Sequence, residues 1–142
     1  MAEVTTPVEA GPEMTLTKVW FSFNGRISRS TWWMKYALPV IGITVAVNIL
    51  DMILGTTFVV AEGNAYNGYV DQTMGILSLV WFFPSFWMAI AAGAKRCHDR
   101  NRSGWFQLLW IVPLVNLWVL VEIWFLRGTV GANRFGPDSV SE

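Results

Sequence analysis

Cysteine and histidine occur once each, at Cys97 and His98, and that scarcity removes several kinds of protein at once. One cysteine makes no internal disulfide, and one Cys with one His falls short of the ligands of a zinc shell. No metal or cofactor is therefore expected. Charge is sparse as well: Asp, Glu, Lys and Arg make up 14% of the chain, against about 25% in an ordinary soluble domain. Ten basic residues balance ten acidic ones, so the basic excess of a nucleic-acid binder is missing. No Gly-rich phosphate loop, His/Glu zinc helix or dinucleotide fingerprint occurs. The opening MAEVTTPVEAGPEMTLT lacks a basic start followed by an apolar core, so no cleaved signal peptide is expected. Residues 1–16 are read as a disordered tail.

What the chain does have is grease and aromatic rings: 54% hydrophobic residues, nine Trp and nine Phe. Three long apolar runs stand out, about residues 32–54, 74–94 and 105–126. At roughly 1.5 Å per residue each matches the ~30 Å hydrocarbon core of a bilayer. The fold class expected is an all-α membrane protein with three transmembrane helices and a short amphipathic N-terminal segment. That segment places Val19, Trp20 and Phe23 at helical spacing beside Lys18, and suits the headgroup layer. Asn24-Gly25 breaks it, and Ser28 or Ser30 can cap the helix that follows. Residues 17–138 form a single membrane domain, and 139–142 are its C-terminal end.

Trp32, Trp33 and Tyr36 fit an interface belt at the start of the first run. Residues 55–73 read as a loop without Lys or Arg, in which Phe58-Val59-Val60 is either a short strand or the frayed end of the helix. Pro84 frees the carbonyl of Val80 and suggests a bend in the second run. Ala89 and Gly93 form a small-xxx-small pair that can admit another helix. The third run contains Pro113 and Asn116. A single kinked span is the reading adopted. The alternative is a break at 113–116, giving two half-helices of roughly 15 Å that return to the same side.

Three crossings put Lys18, Arg26, Arg29, Lys35, Lys95, Arg96, Arg100 and Arg102 on one surface, and only Arg127 and Arg134 on the other. The positive-inside rule makes the first surface cytoplasmic. The N-terminus is then cytoplasmic and the C-terminus periplasmic. If the third run turns back, the tail alone changes sides.

Three stretches carry a resemblance. Phe21-Ser22-Phe23-Asn24-Gly25-Arg26-Ile27-Ser28-Arg29-Ser30-Thr31-Trp32-Trp33 opens it, Arg96-Cys97-His98-Asp99-Arg100-Asn101-Arg102-Ser103-Gly104-Trp105 forms its middle, and Gly128 through Asp138, with Asn133-Arg134-Phe135-Gly136-Pro137-Asp138, closes it. In this order, over roughly residues 16–138, they resemble the bacterial inner-membrane family catalogued as domain of unknown function 805. Cys97 departs from the leucine-like residue expected there. The resemblance implies a small multi-span protein of the bacterial inner membrane and supplies no activity.

The candidate sites follow from charge. Asp99, set among cations, is expected to pair with Arg26 or Arg29 and clamp the N-terminal segment over the hinge between runs two and three. The rival is a solvated hinge in which Asp99 only caps the third helix. Lys95, Arg96, Arg100 and Arg102 form a candidate site for anions or anionic lipid. Asn48, Asp51, Asn116 and Glu122 form a candidate ion site near the outer face. Cys97-His98-Asp99 holds the residue types of a nucleophilic triad, but consecutive residues point apart, so no catalytic residue is assigned. The expected function is a non-enzymatic membrane protein presenting a basic cytoplasmic surface to anionic lipid or a partner protein, within a homo-oligomer or beside another membrane protein. The alternative is a small oligomeric transporter or channel. A lipid-modifying enzyme ranks third.

Overall fold

Ser28 starts the first long helix. Its backbone is extended and its Oγ accepts the Thr31 N–H at 3.1 Å, satisfying a donor that the helix leaves open. In the computed structural model, which describes residues 14–63, 66, 68 and 71–140, that helix (α2) runs Arg29–Leu54. A six-residue helix, α1 (Leu16–Phe21), precedes it. The greater part of the expected disordered tail, residues 1–13, lies outside the described residues.

The α2 helix widens to a π-turn over Trp33–Ala37. Pro39 has no N–H to give the Lys35 carbonyl, and the Trp20 indole donates to that carbonyl at 2.8 Å instead. The missing donor is thus what docks α1 against α2. At the other end Gly55 takes the left-handed conformation, φ 66°, that stops a helix. Strand β1 (Thr57–Ala61) then pairs antiparallel with β2 (Gln72–Gly75), with a register shift between Val59 and Ala61. Phe58-Val59-Val60 is therefore strand rather than frayed helix.

Helix α3 (Ile76–Asp99) continues through Pro84. Both α2 and α3 are long and apolar enough to cross a membrane. Their apolar side chains are largely uncovered: Ile53, Val80 and Phe83 are 74%, 64% and 67% exposed. A core helix of a soluble domain would bury them; these face lipid.

The third run departs from the single span expected. Gly104–Ile111 is a 3₁₀ helix, and α4 (Val115–Trp124) is a separate ten-residue helix. Val112 precedes a proline and is held extended, φ −88° and ψ 116°, which ends the first piece. Leu114 takes φ 68° and reverses the chain. The two pieces pack as a hairpin, Phe106 meeting Trp118 with ring centroids 5.4 Å apart. Both ends of the run return to α3: Arg102 reaches Glu122, and Arg96 reaches the Leu126 carbonyl.

The architecture is thus mostly helical, with two membrane-length helices, a shorter apolar hairpin and a small two-stranded sheet. Two apolar clusters hold it. Val19, Ile27, Trp32, Ala37 and Ala92 form one, Cys97, Val119 and Ile123 the other, and Trp124 packs against both. Gly93 faces Gln107 of the 3₁₀ helix. The small face expected to admit a neighbouring helix is occupied in part by this chain's own hairpin.

Candidate functional site

The last turns of α3 carry Lys95, Arg96 and Asp99, each with 0% exposure. Charges so placed must be met by partners. Lys95 Nζ donates to the carbonyls of Lys18 and Val19, both at 2.8 Å, and to that of Ser22. These include carbonyls that α1 leaves open at its C-terminal end, where the partial charge is negative. Arg96 donates to Ile123 at 2.9 Å, Leu126 at 2.8 Å and Ile27 at 3.2 Å, and to the Asp99 carboxylate at 2.6 Å.

Asp99 is the carboxylate that both Arg96 and Arg26 reach. Its second oxygen lies 3.2 Å from Arg26 and accepts the Ser139 hydroxyl at 2.5 Å. Arg26, itself 4% exposed, spends its other donors on the tail: Gly131 and Thr129 carbonyls at 2.7 Å each. The Asp99 backbone carbonyl accepts the Thr129 N–H at 2.8 Å. Gly128 passes so close that a Cβ there would overlap the Asp99 carboxylate. His98 stacks on Phe135 at 4.0 Å with Nδ1 against the Gly25 carbonyl, and Arg134 covers the other side of that ring at 4.6 Å. Asn133 Nδ2 donates to the His98 carbonyl at 2.9 Å.

The structure therefore joins Arg26 to Asp99, and not Arg29, whose contact is with the Phe125 carbonyl at 3.4 Å. Three stretches far apart in sequence meet in one knot: 21–33, 96–105 and 128–139. The tail lies against the hinge, not at the opposite end of the molecule. The expectation of an opposite-facing C-terminus assumed a third crossing, and the turn at 112–114 removes it. All ten Lys and Arg residues consequently sit at one end of the α2–α3 pair.

Of the four cations expected to meet external anions, Lys95 and Arg96 are enclosed. Arg100 and Arg102 lie 3.4 and 2.6 Å from Glu122, which is 2% exposed. Arg102 also covers Phe106 and Trp118. Lys95 and Arg96 are internal bracing, while Arg100 and Arg102 are paired but keep side chains 27% and 41% exposed. Lys18, Arg29, Arg127 and Arg134 are exposed as well. Arg29 and Arg127 line a hollow of about 310 Å³ with Ser28 and Ser30.

The four residues of the expected ion site are not brought together. Asp51, 1% exposed, accepts from Thr56 Oγ1 at 2.6 Å, Leu77 N at 3.0 Å, and Ser78 N and Oγ at 2.8 and 2.7 Å. It caps α3 from outside, because the N-cap residue is Gly75, which has no side chain to do so. A Cβ at Gly75 would overlap it. Glu122 sits at the other end of α3, some 22 residues away, or roughly 30 Å. Asn48 bonds its own helix, at the Thr44 carbonyl. Asn116 opens α4 beside the reversal.

Cys97, His98 and Asp99 turn three ways: into the Val119–Ile123 cluster, onto Phe135, and into the arginines. Among the described residues no group of three or more His, Cys, Asp or Glu could hold a metal ion. Sequence reasoning missed Thr129, Gly131, Ser139 and the Glu122–hinge pairing. The signal available was the run of turn residues at 128–138, which a free tail would not require.

A family model described as "Protein of unknown function (DUF805)" matches residues 20–137, the stretch that builds this knot. The chain belongs to that family. It is 33% identical to "Inner membrane protein YhaH" of Escherichia coli (strain K12) over 125 residues, covering 88% of this chain and 93% of that one. "Inner membrane protein YhaI" of the same strain is 28% identical over 88% of this chain and 92% of its own length. "Uncharacterized protein YiiR" is 25% identical over 89% and 91%. No solved structure matches. This member of the family is an integral membrane protein, and two of these relatives are named for the inner membrane.

Proposed function

We propose that this protein is a non-enzymatic module of the bacterial inner membrane, with two crossings and one re-entrant hairpin, that offers a basic cytoplasmic face to anionic lipid. The observation that carries this reading is the gathering of all ten Lys and Arg residues at the end of the α2–α3 pair where the hairpin and tail return. The positive-inside rule assigns that end to the cytoplasm. Glu62 and Asp71, in the stretch joining α2 to α3, are left for the periplasmic side. The hairpin's task is geometric on this reading: pieces of eight and ten residues enter from the hinge, stop part-way and come back.

The buried knot is structural and fixes the shape of that face. The residues that meet lipid phosphates are the exposed ones, Lys18, Arg29, Arg127 and Arg134, each worth about 1 kcal/mol beside an anionic surface. The hollow between Arg29 and Arg127 also lies against the first turn of α2, where free N–H groups favour an anion. The test is lipid selectivity. Purified chain in nanodiscs of mixed phosphatidylcholine and phosphatidylglycerol should enrich the anionic lipid around itself. Arg29→Gln with Arg127→Gln should remove most of the enrichment while leaving the melting temperature in place. Equal enrichment in wild type and double variant would sink the proposal.

A further inference from the structure

A groove of about 880 Å³ runs between the start of α2, the second half of α3 and the hairpin. Its walls away from the hinge include Phe86, Ile90, Leu108 and Ile111, and its hinge end carries His98 and Ser103. We propose that this groove holds one acyl chain of a bilayer phospholipid, with the glycerol and phosphate at the His98–Ser103 end. The proposal rests on the membrane placement given above.

Three observations select that occupant. First, the groove is mostly apolar, with Gln107 turned to the Ile90 carbonyl and further polar groups at the hinge, as suits an amphiphile. Leu108 and Ile111 are 53% and 80% exposed, so it opens to the hydrocarbon that surrounds this depth. Second, width suits a flexible chain: a helix is about 10 Å across and would meet this open groove along one face only. A hydrocarbon chain is far narrower. Third, a cation stands one ring beyond the hinge end. Arg134 is exposed and lies on the Phe135 ring that stacks against His98, which suits a phosphate. Trp32, which lines the groove and is 6% exposed, has an indole N–H without an acceptor among the described residues. An ester carbonyl is the acceptor a phospholipid supplies at that depth.

The experiment is native mass spectrometry of the full-length chain released from nanodiscs of equimolar phosphatidylcholine and phosphatidylglycerol. Wild type should carry one phospholipid per chain. Ala89→Trp and Leu108→Trp, which fill the groove from two different elements, should each reduce that adduct roughly tenfold. Trp32→Phe should shorten its survival at rising collision energy. A wild type that emerges without lipid, or filled variants that keep it, would overturn the proposal. Should a filled variant fail to fold, the wild type decides alone: doxyl-labelled phosphatidylcholine shows an immobilised spectral component if the groove holds a chain, and only a fluid annular one if it does not. Adduct without preference for phosphatidylglycerol keeps the groove and counts against the basic-surface reading. Enrichment of phosphatidylglycerol with no retained adduct does the reverse.

Discussion

Arg96 and Asp99, one turn apart on α3, form an ion pair of 2.6 Å in which neither side chain is reached by solvent. Such a pair is weak evidence for stability in itself, since desolvating two ions offsets much of their attraction. Its importance lies in what else it holds. Asp99 also faces Arg26, and the two guanidiniums between them bind carbonyls of Ile27, Ile123, Leu126, Thr129 and Gly131. A single carboxylate thus orients two cations that tie three distant stretches of backbone together.

Removing that charge should be severe. Asp99→Asn keeps the shape but leaves Arg96 buried without its 2.6 Å partner and removes the nearer counter-charge of Arg26, a loss of about 3–5 kcal/mol. Thermal unfolding in detergent should show a large fall in Tm and earlier proteolysis of the tail. Arg26→Lys keeps the charge but cannot reach Thr129 and Gly131 as a planar fork does, so its loss should be smaller. Equal stability of wild type and Asp99→Asn would show that the knot is not what holds the tail.

Gly128 offers a separate check that does not alter charge. A methyl group at this position would overlap the Asp99 carboxylate, so Gly128→Ala must displace either the tail or the ion pair. Gly131 is the control, with open space around it but φ 77°, so alanine there should cost only about 1 kcal/mol in backbone strain. Unfolding of the two variants side by side should rank Gly128→Ala as clearly worse. The reverse order would mean that the tail does not lie against Asp99.

The side of the membrane is open to labelling. Cys97 is 1% exposed and should stay silent, so a single added thiol reports cleanly. In intact cells an impermeant maleimide should miss Pro137→Cys and mark Tyr66→Cys, which is 98% exposed in the stretch between the strands. Everted vesicles should give the opposite pattern. Labelling of Pro137→Cys from outside would overturn the assignment of hinge and tail to the cytoplasm.

Much of this was legible in the residues, and the failures share one cause. Apolar runs of bilayer length announced α2 and α3, and the Ser28 cap was readable from its position before Arg29. Arg26 and Asp99 could be paired because opposite charges among few charges at one surface have little choice. The reversal at 112–114 is in the sequence only as the alternative to a single span, because a run of about 22 apolar residues satisfies a length criterion whether or not it is one helix. Composition alone does not show that Val112 turns extended before Pro113 or that Leu114 adopts φ 68°. Once the third crossing was assumed, the tail fell on the wrong end, Glu122 was separated from Arg100 and Arg102, and Asp51 acquired a companion it does not have. One misread turn displaced every tail contact.

Asp138 gives the tail a pH dependence that can be isolated. Its carboxylate accepts the Gly131 N–H at 2.7 Å and the Val140 N–H at 3.0 Å. The Gly131 bond first and the Val140 bond second hold its pKa below the ordinary carboxylate value, with Arg26 and Arg127 adding to the effect. The folded pKa is depressed, so the stabilisation is fully present above the unfolded value of about 3.9 and is lost as pH falls through the folded one. Asp138→Asn removes the charge at every pH. The stability gap between wild type and this variant should therefore be constant from neutral pH down to the ordinary carboxylate range, then close as acid protonates the wild type. Hydrogen exchange at Gly131 and Val140 is the local readout: their protection, taken relative to the intrinsic rate at each pH, should fall in wild type over that same acid window. A gap that widened on acidification would reverse the sign and show that Asp138 is held in its protonated form.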